Sequence, residues 1–183
     1  MAWGDDWHFE ESEKAMAFPC DSVLSDKAEA WYRAVSVDAP PDLVFRWLCQ
    51  LRVAPYSYDW IDNWGRPSPR TLTEGIDRLA VGQSVMTLFE LVSFEWGRHL
   101  TVRLKDTSVF PPIAMTYMAL PDGWGGTRLL VKVLVEYSGW SDVLLRPWFA
   151  RADLFMMKKQ LLTLKGLSER QPALLGEPQS ITS

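Results

Sequence analysis

The sequence predicts an α+β domain: a curved antiparallel sheet of about six to seven strands wrapped around a long C-terminal helix, with two short helices after the first strand. Three observations lead there. Apolar residues alternate with period two through much of 83–138. They recur at helical spacing over 141–167, and a proline-opened helical stripe follows an early strand. An antiparallel sheet with one apolar face has to bury that face, and the long helix is the element large enough to cover it. Where sheet and helix do not fully meet, a cavity remains.

Taken in order, residues 1–29 mix acidic and aromatic side chains without a sustained period, and Phe18-Pro19 breaks any helix there. They read as an arm packed on a domain formed by residues 30–167. Residues 30–38 read as a strand. Ala39-Pro40-Pro41-Asp42 then opens a helix, because proline is tolerated in a first turn and Asp42 suits the positive end of the dipole. Leu43, Val44, Trp47, Leu48 and Leu51 form its apolar stripe. Residues 56–65 read as the second short helix, capped by Ser57 and ended by Gly65. The connection 66–82 is irregular.

Strands are expected at 83–87, 89–95, 98–105, 112–120 and 126–138, separated by Gly97, Pro111-Pro112 and the turn Pro121-Asp122-Gly123-Trp124-Gly125-Gly126. In the last strand Leu129, Val131, Val133, Val135 and Tyr137 share one face, opposite Arg128, Lys132 and Glu136. In 98–105, Leu100, Val102 and Leu104 oppose His99, Thr101, Arg103 and Lys105, so the second face of the sheet is expected to be wet. Within 141–167, Pro147 must kink the helix or mark its true start. Ala150, Leu154, Met157, Leu161 and Leu164 make one apolar stripe, and Leu145, Phe149, Ala152 and Met156 a second. Residues 168–183, polar with two prolines, read as a flexible tail.

A chain of 183 residues has room for one ordinary domain. It buries about 70% of its unfolded surface, enough to fold without disulfides or a structural metal. With 48% hydrophobic and 23% charged residues the composition is globular, not disordered or collagenous. The net charge of −4, without a basic block, argues against nucleic-acid binding. The N-terminus lacks a signal-peptide pattern, and no stretch reaches the ~18 apolar residues of a membrane helix, so no membrane insertion is expected and the cytoplasm is the expected location. Cys20 and Cys49 then read as reduced, inert thiols. His8 and His99 stand far apart, so neither metal nor any other cofactor is expected. The oddity is ten Trp, five Tyr, eight Phe and seven Met, which fill cores but also line cavities for flat apolar ligands.

The entry Val37-Asp38-Ala39-Pro40-Pro41 into Val44-Phe45-Arg46-Trp47-Leu48 resembles the first strand-to-helix junction of the START-like, Bet v 1-like superfamily, often labelled SRPBCC, which includes polyketide cyclases and lipid-transfer proteins. Tyr56-Ser57-Tyr58-Asp59-Trp60-Ile61-Asp62-Asn63 and Leu79-Ala80-Val81-Gly82-Gln83 are similar to segments of a largely uncharacterised bacterial branch of it. The likeness covers residues 30–167. It implies a helix-grip fold with a hydrophobic cavity between sheet and long helix, and no single activity.

Three functions follow as expectations. The first is binding or carriage of a small apolar or aromatic molecule, with Tyr58 and Trp60 at the mouth, Val133, Val135 and Tyr137 from the sheet, and Leu154, Met157 and Leu161 from the helix. The second is a cyclase- or dehydratase-like enzyme in which Tyr58 and Asp59 transfer protons. Asp59 and Asp62, three apart on one helix face, either divide acid and base roles or merely support a helix N-terminus and face water. Tyr56 either meets a ligand or packs. The third is an interaction module whose second apolar helix stripe docks a partner or forms a homodimer. His99 shares the wet face and Arg128 a similar one, so neither is expected to be catalytic. No Ser-His-Asp set, phosphate loop or metal spacing is present.

Overall fold

The computed structural model describes residues 6–58, 65, 67–137 and 140–171, with side chains in the last stretch from Arg146 onward. A short strand β1 (Asp6–Trp7), a single-turn helix α1 (Glu11–Lys14) and a 3-10 turn (Pro19–Ser22) precede β2 (Glu29–Val37). Helix α2 (Pro41–Cys49) follows and tightens into a 3-10 turn over Gln50–Arg52. Strands β3 (Ser84–Val85), β4 (Phe89–Glu95), β5 (His99–Leu104), β6 (Ile113–Pro121) and β7 (Thr127–Val135) lead to α3 (Trp140–Arg170). The seven strands form one sheet in the order β1-β2-β7-β6-β5-β4-β3, antiparallel except where β1 runs parallel to β2.

α2 begins at Pro41, as its fixed φ and missing N–H favour. The second short helix expected over 56–65 lies largely outside the described residues. Within its first turn Tyr56 takes a positive φ of 56°. α3 runs through Pro147 instead of starting there, which leaves the Val143 carbonyl without its usual helical donor. At the β6–β7 hairpin Asp122 Oδ1 accepts from the backbone N–H of Trp124 (2.8 Å) and Gly126 (2.9 Å), and Gly123 and Gly125 adopt the positive φ that the turn demands.

The main core lies between the inner face of the sheet, α2 and one stripe of α3. Ala150, Met157, Leu161 and Leu164 of that stripe are buried against Trp47, Tyr117 and Val131. A second, smaller core lies on the opposite face of the sheet, where Phe18 and Cys20 pack on Ala34, Ala114, Met118, Leu130 and Leu134. This face is therefore not wet, as its polar alternation suggests. Its polar residues are instead matched by the chain that covers it. The Cys20 N–H donates to Thr116 Oγ1 (2.9 Å), which bonds Thr101 Oγ1 (2.9 Å). Lys132 Nζ meets Asp21 Oδ1 at 2.5 Å and stands over the rings of Phe18 and Tyr32. Arg128 Nε donates to Glu13 Oε1 (2.6 Å). A charged or hydroxyl side chain is tolerated in such a layer because each one has a partner.

Two outcomes follow from this burial. Phe18→Ala is expected to lower the unfolding free energy by about 3–5 kcal/mol, read by urea titration, because its ring fills the second core. Burial also pushes the Cys20 thiol up to about 11 and the Cys49 thiol up to about 12. An aromatic disulfide reagent at mildly alkaline pH should thus label neither cysteine in the native protein and both in denaturant. Prompt native labelling would contradict the packing of one or both.

Candidate functional site

The inner face of the sheet reads as rows across three paired strands. Trp31 lies opposite Val133 and Val133 opposite Met115, an apolar row. One step along, Arg33 lies opposite Val131 and Val131 opposite Tyr117. That row carries a guanidinium and a phenol on the face that α3 covers.

Over the apolar row, beneath the N-terminal part of α3, lies a cavity of 290 Å³. Its floor includes Trp31, Met115, Val133 and Val135, and its roof is Phe149, Ala152, Asp153 and Met156. Leu88 and Phe110, 55% and 39% exposed, stand where it meets solvent. The Phe110 ring sits edge-on to Phe149 at 6.1 Å, joining the β5–β6 loop to the helix. Trp31 is held by its own indole N–H, which donates to Glu29 Oε1 (3.0 Å), and that oxygen also accepts from Arg146 (2.6 Å).

Asp153 is the one charged side chain among the described lining residues. Its Oδ2 accepts from Arg33 Nη2 at 3.0 Å; the Arg33 side chain is fully buried and that of Asp153 is 22% exposed. Burial pushes the Asp153 carboxyl up to about 6, against the downward pull of the adjacent guanidinium. Deeper in the core, the Tyr117 hydroxyl donates to Gln160 Oε1 (2.8 Å), and Gln160 Nε2 donates to the Pro55 carbonyl (2.6 Å). Burial, with the Asp153 charge adding to it, raises the Tyr117 phenol far above its usual range, so it stays protonated.

The structure brings together some of the residues singled out from sequence and separates others. Val133 and Val135 line the cavity. Tyr137 is half-buried beside the main core. Met157 and Leu161 are packed into that core, Leu154 is half-buried, and none of the three lines the cavity; the second helix stripe, through Phe149, Ala152 and Met156, does so instead. The physical reason is that the first stripe lies directly on the sheet around Tyr117 and leaves no space there. Tyr58 stacks on Phe155 (4.6 Å between ring centres, 7° between planes) and is not among the described lining residues of the cavity. Asp59, Trp60 and Asp62 lie outside the described residues. Tyr56 is a structural residue: its hydroxyl donates to the Pro69 carbonyl (2.8 Å) and accepts from Gln50 Nε2 (2.9 Å). His99 lies on the opposite face of the sheet, its pKa lowered chiefly by burial.

Trp31, Arg33, Met115 and Asp153 were not singled out by the sequence reading. Signals exist for two of them, Arg33 and Asp153. Arg33 falls in register with Trp31 and Val37 on a strand, and Asp153 falls between Phe149 and Met157 on an apolar helix stripe. Each is a charge in an apolar pattern, and each is the other's partner.

A further groove of 420 Å³ lies at the other end of α3, bounded by Trp47, Arg70, Thr71, Leu167, Arg170 and Gln171. Its wall ends at the last described residue, whereas the cavity over Trp31 has described sheet and helix on both sides. No group of acids, cysteines and histidines among the described residues is placed to hold a metal ion, and no described helix is long and apolar enough to cross a membrane.

The overall fold is shared with solved structures. The di-domain ARO/CYC StfQ from the steffimycin biosynthetic pathway superposes with a TM-score of 0.52 at 12% identity, over 84% of this chain and 55% of that one. The chain has the helix-grip fold. A Staphylococcus aureus protein of unknown function shares this helix-grip architecture with a TM-score of 0.50 at 14% identity, over 81% of this chain and 99% of that one. No protein-family model matches the sequence, and no curated protein matches it.

The raised Asp153 carboxyl has a measurable consequence. Between its ordinary value of 3.8 and about 6, the folded helix-grip domain holds a proton that the unfolded chain has released. The stabilisation from this proton is full below that window, is lost as pH rises through it, and is constant above it. The stability of the wild type relative to Asp153→Asn should therefore fall between pH 3.8 and about 6 and then level off, measured by urea unfolding at stepped pH. A difference that rises over this window would show that the guanidinium, not burial, governs the group.

Proposed function

We propose that the chain binds a small apolar or aromatic molecule in the cavity between the inner face of the sheet and the N-terminal half of α3. The observation that carries this reading is the lining itself. Aromatic rings, methionines and branched aliphatic side chains surround 290 Å³ of space, with a single charged group among the described lining residues. Ligand pockets have this composition: mostly apolar walls with a few placed polar atoms. The volume is near the lower end of the usual range of roughly 300–1,000 Å³, which suits a molecule of two or three fused rings better than a long lipid chain.

The proton-transfer reading built on Tyr58 and Asp59 lacks comparable support, since Tyr58 stacks on Phe155 and is absent from the described lining. Sharing a fold with an ARO/CYC protein is compatible with either function, because folds host many chemistries.

Titration of methyl-labelled protein with 2-methylnaphthalene tests the proposal. Saturable NMR shifts are expected at the methyls of Met115, Val133, Val135 and Met156, and not at those of Leu130 or Leu134 on the opposite face. Val133→Phe should fill the floor and weaken binding at least about tenfold, while changing stability by about 1–3 kcal/mol from overpacking. Shifts spread evenly over both faces, or none that saturate, would sink the reading.

A further inference from the structure

Three large apolar side chains of α3 stay in water. Trp148, Phe155 and Leu162 are 72%, 57% and 44% exposed, on the side of the helix opposite its buried stripe. They stand seven residues apart, so they form one row, about 10 Å from each to the next with a drift of only about 20° per step. Single exposed apolar residues are ordinary, whereas an aligned row marks a contact surface.

Charge identifies the occupant. α3 carries six Lys and Arg against three acids, although the chain as a whole has a net charge of −4. Arg151 and Lys158 lie along one side of the row and Lys159 beside the other, all three exposed. None of them has an acidic partner among the described residues; Lys158 Nζ stands over the Trp7 ring at 5.5 Å. The helix acids whose side chains are described face elsewhere. Asp153 meets Arg33, and Glu169 accepts from Lys165 and from the Asp38 N–H (2.9 Å). A second copy would set like charge against like. A partner helix would need apolar residues three after each member of the row, where α3 has Arg151, Lys158 and Lys165. A surface that is apolar beneath and negative at its boundary needs no such register. Trp, Phe and Leu enter the acyl boundary there, and flanking cations reach the headgroups.

We propose that the outer face of α3 docks the chain on the surface of an anionic lipid bilayer. Trp148, Phe155 and Leu162 enter the headgroup boundary, and Arg151, Lys158 and Lys159 meet lipid phosphates. The helix lies along the surface and does not span it, since no described helix is long and apolar enough to cross a membrane. The docking is independent of the cavity, because none of the three row residues is among its described lining.

The test is co-sedimentation of the full chain with phosphatidylglycerol vesicles and with phosphatidylcholine vesicles. The wild type is expected to partition onto phosphatidylglycerol at least about tenfold more strongly, and to lose that advantage at high salt. The triple variant Arg151→Gln, Lys158→Gln and Lys159→Gln should bind phosphatidylglycerol at least about tenfold more weakly, and so should the double variant Trp148→Ser with Leu162→Ser. All five side chains are exposed, so urea unfolding of both variants should stay close to that of the wild type. Insertion has its own readout. Cys20 and Cys49 are buried, so one polarity-sensitive dye can be attached at Leu162→Cys, or at Ser22→Cys in the layer that covers the opposite face of the sheet. On phosphatidylglycerol vesicles the emission should shift to the blue at the first position only. No partitioning of the wild type, equal partitioning onto both lipids, or partitioning that survives either set of substitutions would overturn the proposal. An unshifted dye at Leu162→Cys would leave adsorption by charge alone and overturn it as well. Equally tight binding of soluble poly-glutamate would put an acidic protein in the bilayer's place, with the same result.

Discussion

Arg33 stands on the inner face of β2 with its side chain fully buried, and a guanidinium cannot shed its charge to relieve that burial. It needs a carboxylate, and Asp153 on α3 provides it across 120 residues of chain. Leaving one member of such a pair unpaired costs about 3–5 kcal/mol, a large share of the roughly 5–15 kcal/mol by which a domain is stable. This matters for α3 because apolar residues occur on several of its sides, so hydrophobicity alone sets its rotation weakly. With Asp153 turned to Arg33, Ala150, Met157, Leu161 and Leu164 enter the core and Phe149, Ala152 and Met156 roof the cavity. Trp148, Phe155 and Leu162 are left exposed.

The cavity also depends on the other face of the sheet. β2, β7 and β6 pair without a break over Glu29–Val37, Thr127–Val135 and Ile113–Pro121, and the segment before β2 covers their outer side. A sheet packed on one side only would rely on the helix for all of its burial, and the helix would have to close down along its whole length. With a second core beneath, the Trp31–Val133–Met115 row is supported from behind and can carry open space in front of it. The same layer explains why Thr101, Thr116, Lys132 and Arg128 are compatible with a covered face: each is engaged by a partner in or beside that layer.

Strand β4 at Phe89–Glu95, the start of α2 at Pro41 and the inward direction of Val133 and Val135 were all legible in the chain. These follow from neighbours in sequence: alternation assigns a side of the sheet, and a proline pre-sets a first helical turn. The roof of the cavity was legible only as an apolar stripe, because two stripes of α3 had equal claim to the sheet. Tyr56 carried the opposite lesson. A phenol beside a distinctive motif looks available for chemistry, yet its hydroxyl is used up by Gln50 and Pro69.

By itself the sequence determined the α+β class, the order of the described elements from β2 to α3 and which side chains of each strand share a face, since these are written in local period and punctuation, while the helix-grip class came from the resemblance of its motifs. Only the tertiary structure decided that the outer face is covered, that the second stripe of α3 and not the first roofs the cavity, and that Arg33 and Asp153 form its polar corner. Those depend on which distant residue meets which. A charge in an apolar pattern announces that it has a partner, but the partner becomes known only when strand and helix are brought together.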